Sequence, residues 1–259
     1  MAKKKLNALK ADLTTTLQEA NRWFEANGLL LNKNKSQLIH FKTTTNSNHE
    51  IECNEVATVS SAKFLGVVVD ENLKWKEHTI QLASKLSSAC FAIKTLSKVV
   101  NIDTIKAAYY AYAYSHLRYG VVFWGNSVNS KMVFKIQKRI VRAMFNLKYR
   151  QSCKPYFKTY KMLTLPSLYI FETISLFFEN KNKEPSTPSG PYSLRMNHIQ
   201  YPSHRLTLYE GEAHYSGIKL YNNLPGHLKN MNSITTFKKS LKCHLIDKAY
   251  YSVGEFLDE

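Results

Sequence analysis

The sequence is short of acid. Nineteen Asp and Glu stand against thirty-six Lys and Arg, a formal charge of +17 over 259 residues. An excess of that size points to a polyanionic partner, nucleic acid first and an anionic surface second. Cysteine is scarce and scattered: Cys53, Cys90, Cys153 and Cys243 form no Cys-x-x-Cys pair and no dense framework. A disulfide scaffold is therefore excluded, and reduced thiols in an intracellular protein, nuclear or cytoplasmic, are expected. Cys243-His244 lacks a second ligand pair at zinc spacing, so no metal site is read there. No apolar run reaches membrane-spanning length, so no membrane partner is expected. The opening Met1-Ala2-Lys3-Lys4-Lys5 has no hydrophobic core behind it and does not read as a secretory signal.

The familiar catalytic motifs are missing as well. There is no Gly-x-x-x-x-Gly-Lys loop, no Gly-x-Ser-x-Gly elbow and no His-Glu-x-x-His helix. Two-metal phosphoryl transfer needs carboxylates that converge on ions about 4 Å apart. No carboxylate pair stands in an apolar setting here. Asp12 falls on a predicted helix, Asp70 in a turn, Asp103 at a cap and Asp247 on the last helix, each an ordinary structural place. His78 and His116 on helices read as structural. No catalytic residue, metal ligand or cofactor is assigned to this chain.

What the chain does have is a basic centre. Residues 121–181 carry eleven basic and two acidic side chains, a balance of +9, against +6 before them and +2 after. Phe134, Phe145, Tyr149, Tyr156, Phe157 and Tyr160 are interleaved with those cations. Rings among cations suit unstacked bases and phosphates; the alternative is a solvated helix surface over a ring-filled core.

Periodicity supplies the elements. Leu6, Leu9, Leu13, Leu17, Ala20 and Phe24 predict an amphipathic helix over 4–27. Residues 29–32 and 37–41 read as two strands joined by the basic turn 33–36, with weak strands at 51–53 and 56–59. Lys63-Phe64-Leu65-Gly66-Val67-Val68-Val69-Asp70 reads as one strand buried on both faces, Gly66 leaving room for a close approach. From there the pattern is helical: 75–98, then 104–124 capped by Asn101 or Asp103, then 130–147. In the last, Val133, Ile136, Ile140, Val141 and Met144 face inward and Lys131, Lys135, Lys138, Arg139 and Arg142 outward. Pro155 and Pro166 open two more helices. Residues 180–191 have linker composition, and a final helix covers 233–251. The class is α+β: a small antiparallel sheet, then a mostly helical domain, then a small tail.

The order of motifs resembles a family. Trp23-Phe24-x-x-Asn27-Gly28-Leu29-x-Leu31-Asn32-x-x-Lys35-Ser36-x-x-Ile39-x-Phe41 looks like the stretch that follows the catalytic aspartates in LINE-type (non-LTR) retrotransposon reverse transcriptases. Ser36 departs from the usual threonine. Lys63-Phe64-Leu65-Gly66-Val67-x-x-Asp70-x-x-Leu73-x-Trp75-x-x-His78 resembles the palm-to-thumb junction. Tyr119-Gly120-x-x-x-Trp124-Gly125 and Ile136-Gln137-Lys138-Arg139-x-x-Arg142 resemble thumb helices. Tyr221-Asn222-x-Leu224-Pro225, Phe237-Lys238-x-x-Leu241-Lys242 and Ala249-Tyr250-Tyr251-Ser252 resemble the C-terminus of jockey-like elements. Together these cover nearly the whole chain.

The resemblance implies a palm end with a primer-grip-like strand (1–75), a thumb (76–180), a linker (181–192) and a C-terminal tail (193–259). It implies that Lys35 lies near the phosphates of an incoming nucleotide, where a solvated turn lysine is the alternative. Phe64, Leu65 and Gly66 would form the primer grip, and Lys131, Lys135, Lys138, Arg139 and Arg142 would track the template–primer duplex of RNA and DNA. The family copies RNA into DNA with Mg²⁺ on palm aspartates. The Tyr/Phe-Ala-Asp-Asp motif that carries them is absent here, so the chain alone is expected to be inactive. The other readings are a domesticated, stand-alone basic nucleic-acid-binding protein and a helical interaction module.

Overall fold

Leu9, Leu13, Leu17, Ala20 and Phe24 recur every three to four residues, and in the computed structural model they lie on one helix, α1 (Ala2–Ala26). The structure describes residues 2–42, 56–181 and 199–259. By compactness the chain divides into two units, Met1–His78 and Thr79–Glu259. The fold is α+β, dominated by helix, with four short strands among the described residues. The described part of the expected tail belongs to the second unit and forms no unit of its own. The expected linker lies outside the described residues except for Lys181, and so do the polar turn at 43–49 and the weak strand at 51–53.

The first unit departs from expectation in its strands. Residues 29–32 form no strand, and Leu30 is 92 % exposed. A 3₁₀ turn at Lys33–Lys35 follows, with the Asn32 side chain accepting the Lys35 N–H at 3.2 Å. Strand β1 (Gln37–Leu38) then pairs in parallel with β2 (Ala57–Thr58), so the basic turn does not close a hairpin. A parallel partner must come from farther along the chain than a tight turn allows.

The stretch 63–70 is a hairpin and not a single buried strand. Strand β3 (Ser61–Phe64) pairs antiparallel with β4 (Val67–Asp70), with Phe64 opposite Val67 and Leu65-Gly66 at the tip. Both tip residues have positive φ, 45° at Leu65 and 84° at Gly66, as a type I′ turn requires. Gly66 thus serves the reversal of the chain. The apolar run is divided by that turn. Val68 and Asp70 are buried, whereas Phe64 and Leu65 are exposed.

Asp70 ties the hairpin to the next helix. Its carboxylate accepts the backbone N–H groups of Asn72 (3.2 Å), Lys74 (2.9 Å) and Trp75 (2.6 Å). Those bonds hold a loop in which Leu73 and Trp75 take φ of 52° and 60°, a left-handed conformation that side chains with a Cβ resist. His78 reaches back the other way, its Nδ1 accepting the Val68 N–H at 3.4 Å.

The second unit begins inside α2 (Lys76–Leu96) and continues through α3 (Ile102–Ala108), whose N-cap is Asn101, accepting the Thr104 N–H at 2.9 Å. The expected helix over 104–124 is broken. A π-helical turn (Tyr109–Tyr114) leads to α4 (Ser115–Arg118), and the chain bends at Tyr119 and Gly120 before α5 (Val121–Trp124). The Trp124 indole N–H donates to the Tyr119 carbonyl across that bend at 3.0 Å. There follow α6 (Ser130–Met144), α7 (Lys154–Thr159) and α8 (Leu165–Lys181). The tail supplies α9 (Ala213–Asn222), α10 (Gly226–Lys229), α11 (Ile234–Lys248) and α12 (Val253–Leu257). Ala249, at φ 48°, ends α11 earlier than expected.

Helix α8 is the axis of this unit. Nearly all its faces are buried, as befits a helix apolar all round. Phe178 stacks on Phe237 of α11 at 4.1 Å between centroids, and Phe177 meets Tyr221 of α9 at 5.4 Å. At Gly217 a Cβ would stand 2.8 Å from the Phe177 Cβ, so α9 approaches α8 as closely as only glycine permits. The start of α8 is also clasped from the tail. Thr164 accepts the Ser167 N–H at 3.2 Å and donates to the Tyr250 carbonyl at 2.5 Å.

Candidate nucleic-acid interface

Helix α6 is built on two chemistries. Val133, Phe134, Gln137, Ile140, Val141 and Met144 are buried on one side. Gln137 is an exception in kind, a polar group fully inside. Its amide donates to the Tyr109 hydroxyl (2.9 Å) and the Leu163 carbonyl (3.0 Å) and accepts the Leu165 N–H (2.8 Å). A buried amide so satisfied fixes the roll of α6 against its neighbours. It thereby fixes which face looks outward.

That outward face is cationic. Lys131, Lys135, Lys138 and Arg142 recur at steps of four, three and four, which places them in one stripe. At 1.5 Å of rise per residue the stripe is roughly 16 Å long. Lys131 and Lys135 are exposed; Lys138 and Arg142 are half-buried. Arg139 lies off the stripe and donates to the Ser87 hydroxyl of α2 at 2.9 Å. Arg142 donates to the Gln151 carbonyl at 3.3 Å. Among the described residues none of the five forms an ion pair with a carboxylate.

The tail completes the surface. Tyr251 meets Phe134 edge to face at 5.1 Å. The Lys138 ammonium sits 4.6 Å from the Phe134 ring centre and 5.1 Å from that of Tyr251, and Lys154 stands 5.5 Å from the Tyr251 ring. Partial burial holds the Lys138 ammonium below the usual lysine pKa, with Arg142 and Lys135 adding to the effect. Burial raises the Tyr251 phenol and the Cys153 thiol. Cys153 is inert packing beneath the stripe, its thiol turned to the Lys138 carbonyl at 3.5 Å. The arrangement concentrates positive charge beside rings. It offers no nucleophile paired with a base.

The other predicted site residues lie in the first unit. Lys35 is exposed on the 3₁₀ turn before β1. Phe64, Leu65 and Gly66 form the hairpin tip. Sequence reasoning missed Lys154 and Tyr251 as neighbours of the basic helix. Tyr251 lies more than a hundred residues from Lys138, and no spacing rule connects them. Among the described residues no group of three His, Cys, Asp or Glu side chains could hold a metal ion, and no helix is long and apolar enough to cross a membrane. Asp70, the carboxylate nearest the expected primer grip in sequence, is already committed to three backbone N–H groups. Compared with protein-family models, curated proteins and solved structures, the chain matches none.

Proposed function

We propose that this chain is a C-terminal part of a non-LTR retrotransposon reverse transcriptase, comprising palm end, thumb and tail. In this reading it binds the RNA–DNA template–primer without catalysing polymerisation. The observation that carries the reading is the stripe Lys131, Lys135, Lys138 and Arg142, held on one face of α6 and free of carboxylate partners among the described residues. Lysines so placed bind phosphates without reading sequence. The order of motifs along the chain supports the family. The hairpin tip Phe64-Leu65-Gly66 serves as primer grip and Lys35 as a phosphate contact. The chain works inside the cell, in the nucleus or cytoplasm. It lacks polymerase activity because phosphoryl transfer without metal-bound carboxylates loses its main source of transition-state stabilisation.

The test is filter binding of an RNA–DNA hybrid across a salt series. Affinity falls steeply with salt, and Lys131→Gln with Lys135→Gln lowers the slope of log K against log salt by about 2. No binding at low salt overturns the reading and leaves the helical interaction module. Primer extension with Mg²⁺ gives no product; incorporation by the purified chain overturns the assignment of no catalytic centre. A stand-alone, domesticated nucleic-acid-binding protein rests on the same stripe. An in-frame Ala-Asp-Asp motif immediately upstream in the genome decides between the two.

A further inference from the structure

The basic stripe runs at its N-terminal end into a cleft of about 580 Å³, within the range of pockets that hold small organic ligands. Three segments far apart in sequence line it: 125–138 in part, Leu165 with Pro166, and 251–254. The lining includes Lys131, Lys135 and Lys138 and no Asp or Glu. It also includes Ser127, whose hydroxyl is buried and has no hydrogen-bond partner among the described residues.

The lining is chemically divided. A bare anion would satisfy the lysines and leave the apolar surface of Val128, Tyr251 and Val253 against water. An apolar ligand would leave three ammonium groups uncompensated, at a cost that burial makes larger. A nucleotide carries both an anion and a flat apolar body. A base inside a duplex is paired and stacked, and enters a pocket only when extruded. An unpaired nucleotide at a strand end meets no such cost.

We propose that this cleft takes one unpaired nucleotide, its phosphate on Lys131 and Lys135 and its base against the accessible apolar lining of Val128, Tyr251 and Val253. The inference rests on the nucleic-acid-binding reading and names the part of the strand that its basic helix engages. The tail segment 251–254 then belongs to the binding site, because it supplies part of the cleft.

Two measurements on the full chain test this. The first titrates adenosine 5′-monophosphate, adenosine and inorganic phosphate separately. The nucleotide binds at least about tenfold tighter than either fragment, and Lys131→Gln with Lys135→Gln weakens it by about tenfold or more. The exposed pair Lys239→Gln and Lys242→Gln on α11 leaves it unchanged. Phosphate binding as tightly as the nucleotide, or indifference to Lys131 and Lys135, overturns the proposal. The second compares a blunt RNA–DNA hybrid with the same hybrid carrying a one-nucleotide overhang. The overhang binds about tenfold tighter, and the double lysine variant abolishes that preference. Equal binding of blunt and overhanging hybrids overturns the cleft and leaves the basic stripe standing. Failure to bind either hybrid at low salt overturns the underlying reading, while the nucleotide titration still decides the cleft.

Discussion

In the second unit Trp124, Tyr109, Phe157, Phe237, Leu86 and Ile140 are fully buried. In the first, α1 runs for 25 residues with none of its described side chains buried. Its apolar stripe is there: Leu13, Leu17, Ala20 and Phe24 are half-covered, Leu9 is 47 % exposed and Trp23 60 % exposed. The two units thus begin from similar amphipathic patterns and end with different amounts of burial. Apolar area removed from water is the main favourable term in folding. The second unit holds itself together by that term. The first relies more on local bonds: the Asp70 carboxylate, the hairpin and the Lys42–Glu71 ion pair at 3.2 Å. Amide exchange in the helices of residues 79–181 and 199–259 should therefore report openings several kcal/mol costlier than in α1 and the hairpin, on the order of the span between global and local unfolding. Equal protection in both would break the comparison.

The largest single effect is expected where the second unit is densest. Phe237→Ala removes the ring stacked on Phe178 and should cost about 3–5 kcal/mol, seen as a lower denaturation midpoint and faster exchange along α8 and α11. Gly217→Val should act in the same place through overpacking against Phe177, by about 1–3 kcal/mol or more. If either change leaves exchange along α8 untouched, α8 is not the axis of the unit.

A smaller effect is expected in the first unit. Asp70→Ala leaves the Asn72, Lys74 and Trp75 N–H groups without their shared acceptor and releases a loop that holds Leu73 and Trp75 at positive φ. The cost should be about 2–3 kcal/mol, confined to exchange in residues 56–78. Loss of protection in α8 instead would mean that the two units do not open separately.

The sequence was most legible where a single period decides the outcome. Helices α1, α2 and α6 follow from spacing and α8 from the proline near its start, and the inward set of α6 is nearly as expected, with Ile136 half-buried and Phe134 and Gln137 taken inside. The hairpin was hidden because a run of valines reads as one strand. The turn signal was Gly66 preceded by leucine, where Asn or Asp is usual. The parallel pairing of β1 with β2 was hidden because nothing local marks a partner twenty residues away. The joining of Tyr251 to the basic helix was hidden for the same reason at greater range. Of the site, the cations were readable and the cleft was not, since it is made by three segments that only folding brings together.

The smallest change is the most informative about the hairpin tip. Leu65 stands at φ 45° with 75 % of its surface exposed. A leucine in that conformation costs roughly 1–2 kcal/mol, and an exposed apolar side chain regains little of it by burial. Asn tolerates the same backbone well. Leu65→Asn should therefore stabilise the first unit by about 0.5–1 kcal/mol, read as slower exchange in β3 and β4. Strain kept at an exposed apolar tip is a cost that function can explain. If Phe64 and Leu65 hold a primer end, the same variant stabilises the hairpin and weakens binding of the RNA–DNA hybrid. A stabilised hairpin with unchanged hybrid affinity removes the tip from the interface and leaves binding to the second unit.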